Sequence, residues 1–362
     1  MTTAMEPPAG IRTSIKRGLD FIYRMANTAE GFDSYGSMMI CCFALIGATS
    51  RDPGLRQLTR SRARKLNHRW RRAHPVVPPD ATPSLMLDFI MVSYALSRIS
   101  VRDVALNSQI HAAAEQFSIQ DLLGFDPASE PPVKDLPYPC GCGFRNQRAR
   151  TFCKNCKRRL EIQSSYRVWM EAIANTYVGG RCGLLSKTHY LDVLKWLPSM
   201  RPYPLEDEDV EFLRDAIYAV THIVYSLNDY GTYRLSPRWL AREFAFLKAN
   251  VARACERKDA EVLGELLDSL KALGLDGSHP LIRRGTRYLL ASQNKDGSWG
   301  DPDEEDVGTR CHTTWTAIDG LRSYAWRGKH LSSRAVESML RGVCKAEEKL
   351  SPRRRGAKTQ RL

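Results

Sequence analysis

Apolar positions recur at helical spacing along most of the chain, while sustained two-residue alternation is absent. The pattern predicts helices over 85–99, 163–177, 210–227, 240–257, 260–273, 282–293 and 314–326. A further apolar helix holds Met38, Met39, Cys41 and Cys42, whose plainest role is core packing. The fold class expected is all-α with a single insertion. Prolines 127, 131, 132, 137 and 139 mark its start and predict a stiff, extended approach from which the insertion projects. The boundaries expected are 1–125 for the first helical part, 126–162 for the insertion, 163–345 for the second helical part and 346–362 for a basic flexible tail.

The two ends of the chain repeat each other. Ile15, Lys16, Arg17, Gly18, Leu19, Asp20, Phe21 and Ile22 align without a gap on Ile282, Arg283, Arg284, Gly285, Thr286, Arg287, Tyr288 and Leu289, and Asn27 falls on Asn294. A glycine turn closed by an aromatic follows each copy, Gly31-Phe32 in one and Gly297-Ser298-Trp299 in the other. Units of this kind cannot bury their apolar faces alone, so they stack or close into an α/α array. Arg284, Gly285, Tyr288, Leu289, Gln293, Gly297 and Trp299 resemble the QW repeat of terpene cyclases and protein prenyltransferase β subunits. That resemblance implies an α/α toroid, a single barrel of paired helices. Without the insertion about 300 residues remain, room for one toroid of about twelve helices and not for the two domains of a triterpene cyclase. Gln293 can tie its amide to neighbouring helix ends while Trp299 packs over the junction, so the motif supports fold before function.

Composition narrows the setting. With 43% apolar and 26% charged residues, the 362-residue chain is neither collagen-like nor wholly disordered. The longest clean apolar run, 37–50, is shorter than the roughly 20 residues that span a bilayer, and the first residues lack the apolar stretch of a secretory signal. A cytoplasmic protein without a membrane span is expected. There, closely spaced cysteines hold metal more often than they form disulfides. Cys140, Cys142, Cys153 and Cys156 follow a C-x-C-x10-C-x2-C spacing, two knuckles that bring four thiolates to one structural zinc. The alternative is a reduced cysteine-rich loop without metal.

The net charge of +14 is concentrated in three stretches free of acids: eight Lys and Arg in 56–72, seven in 145–159 and five in 353–362. With those 20 set aside, 34 basic residues face 40 acidic ones, so no continuous basic face is expected. The zinc ribbon carries the second stretch, which suits docking to an acidic protein or a nucleic acid.

In the toroid families, catalytic residues begin the inner helix that follows a QW turn. Here the D-x-D-D-T acid motif of the cyclases is missing, and Cys311-His312 stands at the expected helix start. His312, Trp315, Thr316 and Asp319 share one face. His222 lies mid-helix with Tyr225, on the face of Asp215. Catalytic candidates are therefore His312, His222, Asp319, Asp215, Trp315 and Tyr225. His222 and His312, joined by His189 or Cys311, would form a second metal site for zinc, iron or copper. The plainer reading makes these histidines satisfied core or capping groups.

The resemblance implies a terpene cyclase- or prenyltransferase-like enzyme with an apolar or aromatic small-molecule or peptide substrate in the central cavity. The alternatives are a His-ligated metal-dependent oxidase or hydrolase on the same scaffold, and a non-catalytic module that docks through its basic ribbon.

Overall fold

The computed structural model describes residues 9–144, 146–184, 190–204 and 209–350. Helices dominate them: α1 (Ala9–Met25), α2 (Ala29–Thr49), α3 (Pro53–Ala73), α4 (Pro83–Ser97), α5 (Val104–Ala114), α6 (Ile119–Leu123), α7 (Ser165–Arg181), α8 (Tyr190–Leu194), α9 (Val210–Leu227), α10 (Ala241–Glu256), α11 (Ala260–Ala272), α12 (Pro280–Ala291), α13 (Val307–Leu321) and α14 (Arg334–Leu350). The molecule is all-α; the described residues form only isolated β-bridges and no strands. Side-chain caps set many of the helix starts. Thr28, Asp52, Thr82, Asp103, Ser164, Asp209, Asp259 and Asp306 each accept an amide of the first turn.

The expected helix over 210–227 coincides with α9, and four others agree within two residues at each end. The helix expected over 163–177 runs over Ser165–Arg181 instead, four residues longer at its end. The largest correction falls on α13. It begins at Val307, where Asp306 takes the Thr309 amide at 2.7 Å, seven residues before the expected start. Cys311 and His312 therefore sit in its second turn. Its C-terminus falls early because residues 323–325 leave to pair with the end of α2. Arg51 N donates to Ser323 O at 2.9 Å and Ala325 N to Thr49 O at 2.8 Å. The expected tail boundary at 346 lies inside α14, and residues 351–362 lie outside the described residues.

Contacts run from α2 to α4, α7, α9, α11 and α13 in that order, and α13 returns to α2. Outside it, α3 lies on α2, α5 on α4, α10 and α12 on α11, and α1 on α13, while α14 lies against α8. The tightest crossing joins α11 to α13, where a Cβ on Gly264 would meet Thr316 O at 2.4 Å. Helix α2 is long and apolar enough to cross a membrane, yet two thirds of its most apolar stretch is buried within the fold.

The QW-like turn stitches the two ends together. Gln293 Nε2 donates to Ser14 O and to Gly297 O, both at 2.9 Å, and Arg17 donates to Asn294 O and Lys295 O, both at 2.9 Å. Trp299 is fully buried, donates to Leu289 O at 2.7 Å and lies against Gly18, where a Cβ would come within 2.7 Å of its ring.

The Pro-rich approach to the insertion runs along the helical body. Phe125, Val133 and Leu136 join the main core, and Pro127 O accepts Trp196 Nε1 at 2.9 Å. The basic stretch of α3 is largely tied down as well. Arg60 donates to Gly47 O, Arg56 to Ser50 O and Arg69 to Ala26 O, while Arg62 pairs with Asp20 and Arg71 with Asp103. These guanidinium groups satisfy carbonyls and acids of neighbouring segments, so much of that charge serves packing.

Candidate functional site

Each helix of the contact cycle sends at least one residue to a central cavity of about 290 Å³. Ser37, Met38, Cys41 and Leu45 come from α2, Asp88 and Met91 from α4, Ala174 from α7, His222 and Tyr225 from α9, Glu265 and Asp268 from α11, and His312, Trp315 and Asp319 from α13. Grooves on the outer surface are larger, about 390 Å³ beside Arg214 and Arg257 and about 520 Å³ beside His111 and Arg181. The central one stands apart by its chemistry, with two imidazoles and four carboxyl groups among aromatic rings. The 38% of the His312 side chain that stays accessible faces this hollow.

Both imidazoles are held by one nitrogen. His312 Nδ1 lies 3.0 Å from Glu261 Oε1, and His222 Nδ1 donates to Tyr218 O at 2.8 Å. Among the described residues, neither Nε2 has a hydrogen-bond partner. Glu261 also accepts Tyr218 OH at 2.6 Å, Thr313 Oγ1 at 3.1 Å and Arg214 Nη2 at 3.3 Å. Burial alone would raise its pKa, but His312, Tyr218 and Arg214 outweigh that and hold it well below the ordinary carboxylate range. Burial pulls His312 down, and the Glu261 carboxylate more than reverses this, so its pKa is raised. His222 has no such partner; burial brings it to about 4, aided by the charge of His312, and it is neutral.

Glu265 lies one turn beyond Glu261. Its carboxylate accepts the Thr221 hydroxyl, and burial pushes its pKa to about 7 against the opposing pull of His312. Asp268 is also raised to about 7, first by burial and then by the charge of Asp319. Asp319 pairs with Arg322, which also donates to Thr49 Oγ1 at 2.9 Å and lies 3.8 Å over the Tyr324 ring. Lys271 caps α13, donating to Asp319 O at 2.8 Å, Gly320 O at 3.0 Å and Arg322 O at 2.7 Å. The indole Nε1 of Trp315 is buried with no partner among the described residues, and its ring meets His312 edge to face at 6.1 Å.

Of the residues singled out in the sequence, His312, His222, Asp319, Trp315 and Tyr225 line the cavity. Asp215 does not. It lies two helical turns, about 10 Å, from His222 and binds Arg167 at 2.8 Å and Ser164 at 2.7 Å between α7 and α9. Cys311 is also turned away, because neighbouring helix positions differ by about 100°, and it is buried in the core while His312 faces the hollow. His189 lies outside the described residues. Among the described residues, no set of three His, Cys, Asp or Glu ligands for one ion forms in the cavity, so the expected His222, His312 and Cys311 grouping is not assembled. Glu261, Glu265 and Asp268 were missed. Their i, i+4, i+7 spacing on an otherwise apolar helix was the available signal.

The four cysteines do converge. Their sulfurs lie within 4.8 Å of one another, with Cys140 Sγ to Cys156 Sγ at 3.3 Å and Cys142 Sγ to Cys153 Sγ at 3.8 Å. Four thiolates at these separations fit one tetrahedral ion with metal–sulfur bonds of about 2.3 Å. Amides shape the knuckles: Gly143 N donates to Cys140 O at 2.7 Å and Lys157 N to Cys153 O at 3.0 Å. Gly143 sits at φ +80°, a left-handed turn that suits glycine. Asn146 Oδ1 accepts the Lys154 amide at 2.8 Å and braces one knuckle against the other.

Residues 138–316 are similar to a family described as a domain of unknown function, DUF6895. The matched stretch takes in the four cysteines and, from the cavity walls, His222, Glu265, Asp268, His312 and Trp315. Helices α1 to α6 and Asp319 fall outside it. No curated protein and no solved structure matches the chain.

Proposed function

We propose that the helices form an α/α toroid whose hollow is the active site of an acid–base enzyme acting on an apolar or aromatic small molecule, as in terpene cyclases and prenyltransferases. The closed succession α2–α4–α7–α9–α11–α13, with the other long helices outside it, supports the toroid. The observation that carries the enzyme reading is Glu265, a buried carboxyl with a pKa near 7, set among aromatic walls and across from a neutral imidazole. It supplies the acid that the missing motif would have provided.

In this reading the Glu265 carboxylic acid gives its proton to an alkene carbon, leaving a carboxylate and a carbocation. The faces of Trp315, Tyr225 and Tyr230 stabilise that cation. Nε2 of neutral His222 then takes a proton from a neighbouring carbon to restore a double bond, and the imidazolium returns it to Glu265. The net reaction is an isomerisation or cyclisation that consumes no other reagent. Widely separated pKa values in one pocket are what an acid and a base need at neutral pH. The test is turnover of a panel of isoprenoid alkenes and prenyl diphosphates followed by gas chromatography with mass detection. Product formed by the wild type and lost in Glu265→Gln supports the reading; no turnover of any member by the wild type refutes it.

The arrangement of the imidazoles favours a second reading. Both are tied through Nδ1 to an oxygen acceptor, the support that metal-binding histidines use. A His-ligated oxidase or hydrolase would bind more than one metal per chain, with the excess lost in a His222→Ala/His312→Ala double variant. We take the ion of the cysteine cluster to be zinc in a closed structural site, and the chain to work in the cytoplasm with its thiols reduced.

A further inference from the structure

We propose that the outer face of the cysteine ribbon binds single-stranded nucleic acid, with Phe152 stacking on an unpaired base and Arg150 and Arg159 beside it on the phosphates. This inference is independent of the cavity. Phe152 and Arg159 form an isolated antiparallel bridge, so their side chains stand on one face of the paired segments. The opposite face is closed, since Cys140, Cys153 and Leu160 pack together there. Phe152 stays 57% exposed, and Phe144 on the first knuckle 39% exposed.

Charge selects the occupant. Residues 141–159 hold no Asp or Glu, and Arg150, Lys154, Arg158 and Arg159 are exposed with no ion pair among the described residues. Among the described residues of this stretch, only Arg148 is neutralised, by Glu130. In α3 five arginines reach carbonyls and acids of the fold; here Arg150, Lys154, Arg158 and Arg159 reach solvent. Open aromatic faces among free cations match a strand whose bases are splayed and whose backbone is anionic, whereas a duplex hides its base faces.

The experiment uses full-length, metal-loaded protein and fluorescence anisotropy with labelled 12-nucleotide RNA, DNA of the same sequence, and the corresponding duplex. Four phosphate contacts predict a log–log salt slope of about −2.8 for single strands, hence about 50-fold weaker binding at 200 mM than at 50 mM salt. Phe152→Ala should weaken single-strand binding about 5- to 150-fold with the salt slope unchanged, and Phe152→Trp should restore it. Arg150→Gln and Arg159→Gln should each reduce the slope by about 0.7. Binding of either single strand supports the proposal, and the RNA to DNA ratio reports whether 2′-hydroxyls contribute. Equal affinity for the duplex, or a Phe152→Ala variant that keeps its metal and binds as tightly as wild type, would mean a merely electrostatic patch and would overturn it. Failure to bind any strand, or capture of acidic polypeptide alone, would overturn it too.

Discussion

Replacing Glu261 by Gln tests whether a carboxylate orders the cavity. Its two oxygens take His312, Tyr218, Thr313 and Arg214, and its side chain is 11% exposed. The amide keeps one acceptor oxygen and turns an NH2 group against donors that lose their partner. A hydrogen bond to a charged group contributes about 1.5–3 kcal/mol. The His312 end opens on the hollow and is screened there, so we set the net loss at about 2–3 kcal/mol. With an unfolding entropy of about 2.1 cal/mol/K per residue, that lowers Tm by about 3–4 °C. The pH dependence carries more information. The pKa of His312 is raised above 6.5 in the folded chain, so its contribution is complete below 6.5 and fades as pH climbs through the folded value. Glu261 is depressed below 4.5, so its contribution is complete above 4.5 and fades as pH falls. The difference between wild type and Glu261→Gln should peak near pH 5.5 and shrink by pH 9. Calorimetry at both pH values measures this, and the His312 Cε1–H resonance should titrate below the ordinary histidine value in the variant. A His312 titration that does not move, or a difference that grows toward pH 9, would refute the reasoning.

The fully buried pair of Arg201 and Glu243, joined at 2.7 Å and braced by Tyr203 OH at 2.6 Å, should make Glu243→Ala lose about 3–5 kcal/mol by chemical denaturation. Gly264→Ala would force a Cβ onto Thr316, separating α11 from α13 at a cost of about 1–3 kcal/mol, read by thermal melting. Cys153→Ser should release one zinc per chain by elemental analysis and leave the far-ultraviolet helical signal nearly intact, because the cysteines pack apart from the main core.

Much of this organisation was legible in the chain because local rules coincided. Asp209 caps α9 and its apolar spacing runs unbroken, so both ends of that helix were readable. The cysteine knuckles were readable because thiolate geometry demands short spacings. Helix α13 was misplaced because its first turn, Val307 to Arg310, has little apolar content, and the signal lay in the Asp306 cap. Glu265 escaped notice because a carboxyl on a helix reads as solvated until neighbouring elements enclose it, and those elements are distant in sequence. The role of the α3 charge was illegible for the converse reason: an arginine bound to a carbonyl looks in sequence like one bound to water. Cys311 and His312 are adjacent, yet helix geometry sends one into the core and the other toward the hollow.

The stitch between Arg17 and Gln293 spans 276 positions. Bringing such distant segments together costs entropy that rises with the logarithm of their separation, so this closure is expected late in assembly. A ribosome must release everything from α1 through the turn after α12 before those two can meet. Until then the apolar flank of α2 has no α13 to cover it. Chaperone dependence and aggregation during synthesis should therefore track damage to this seam more closely than damage to any single helix.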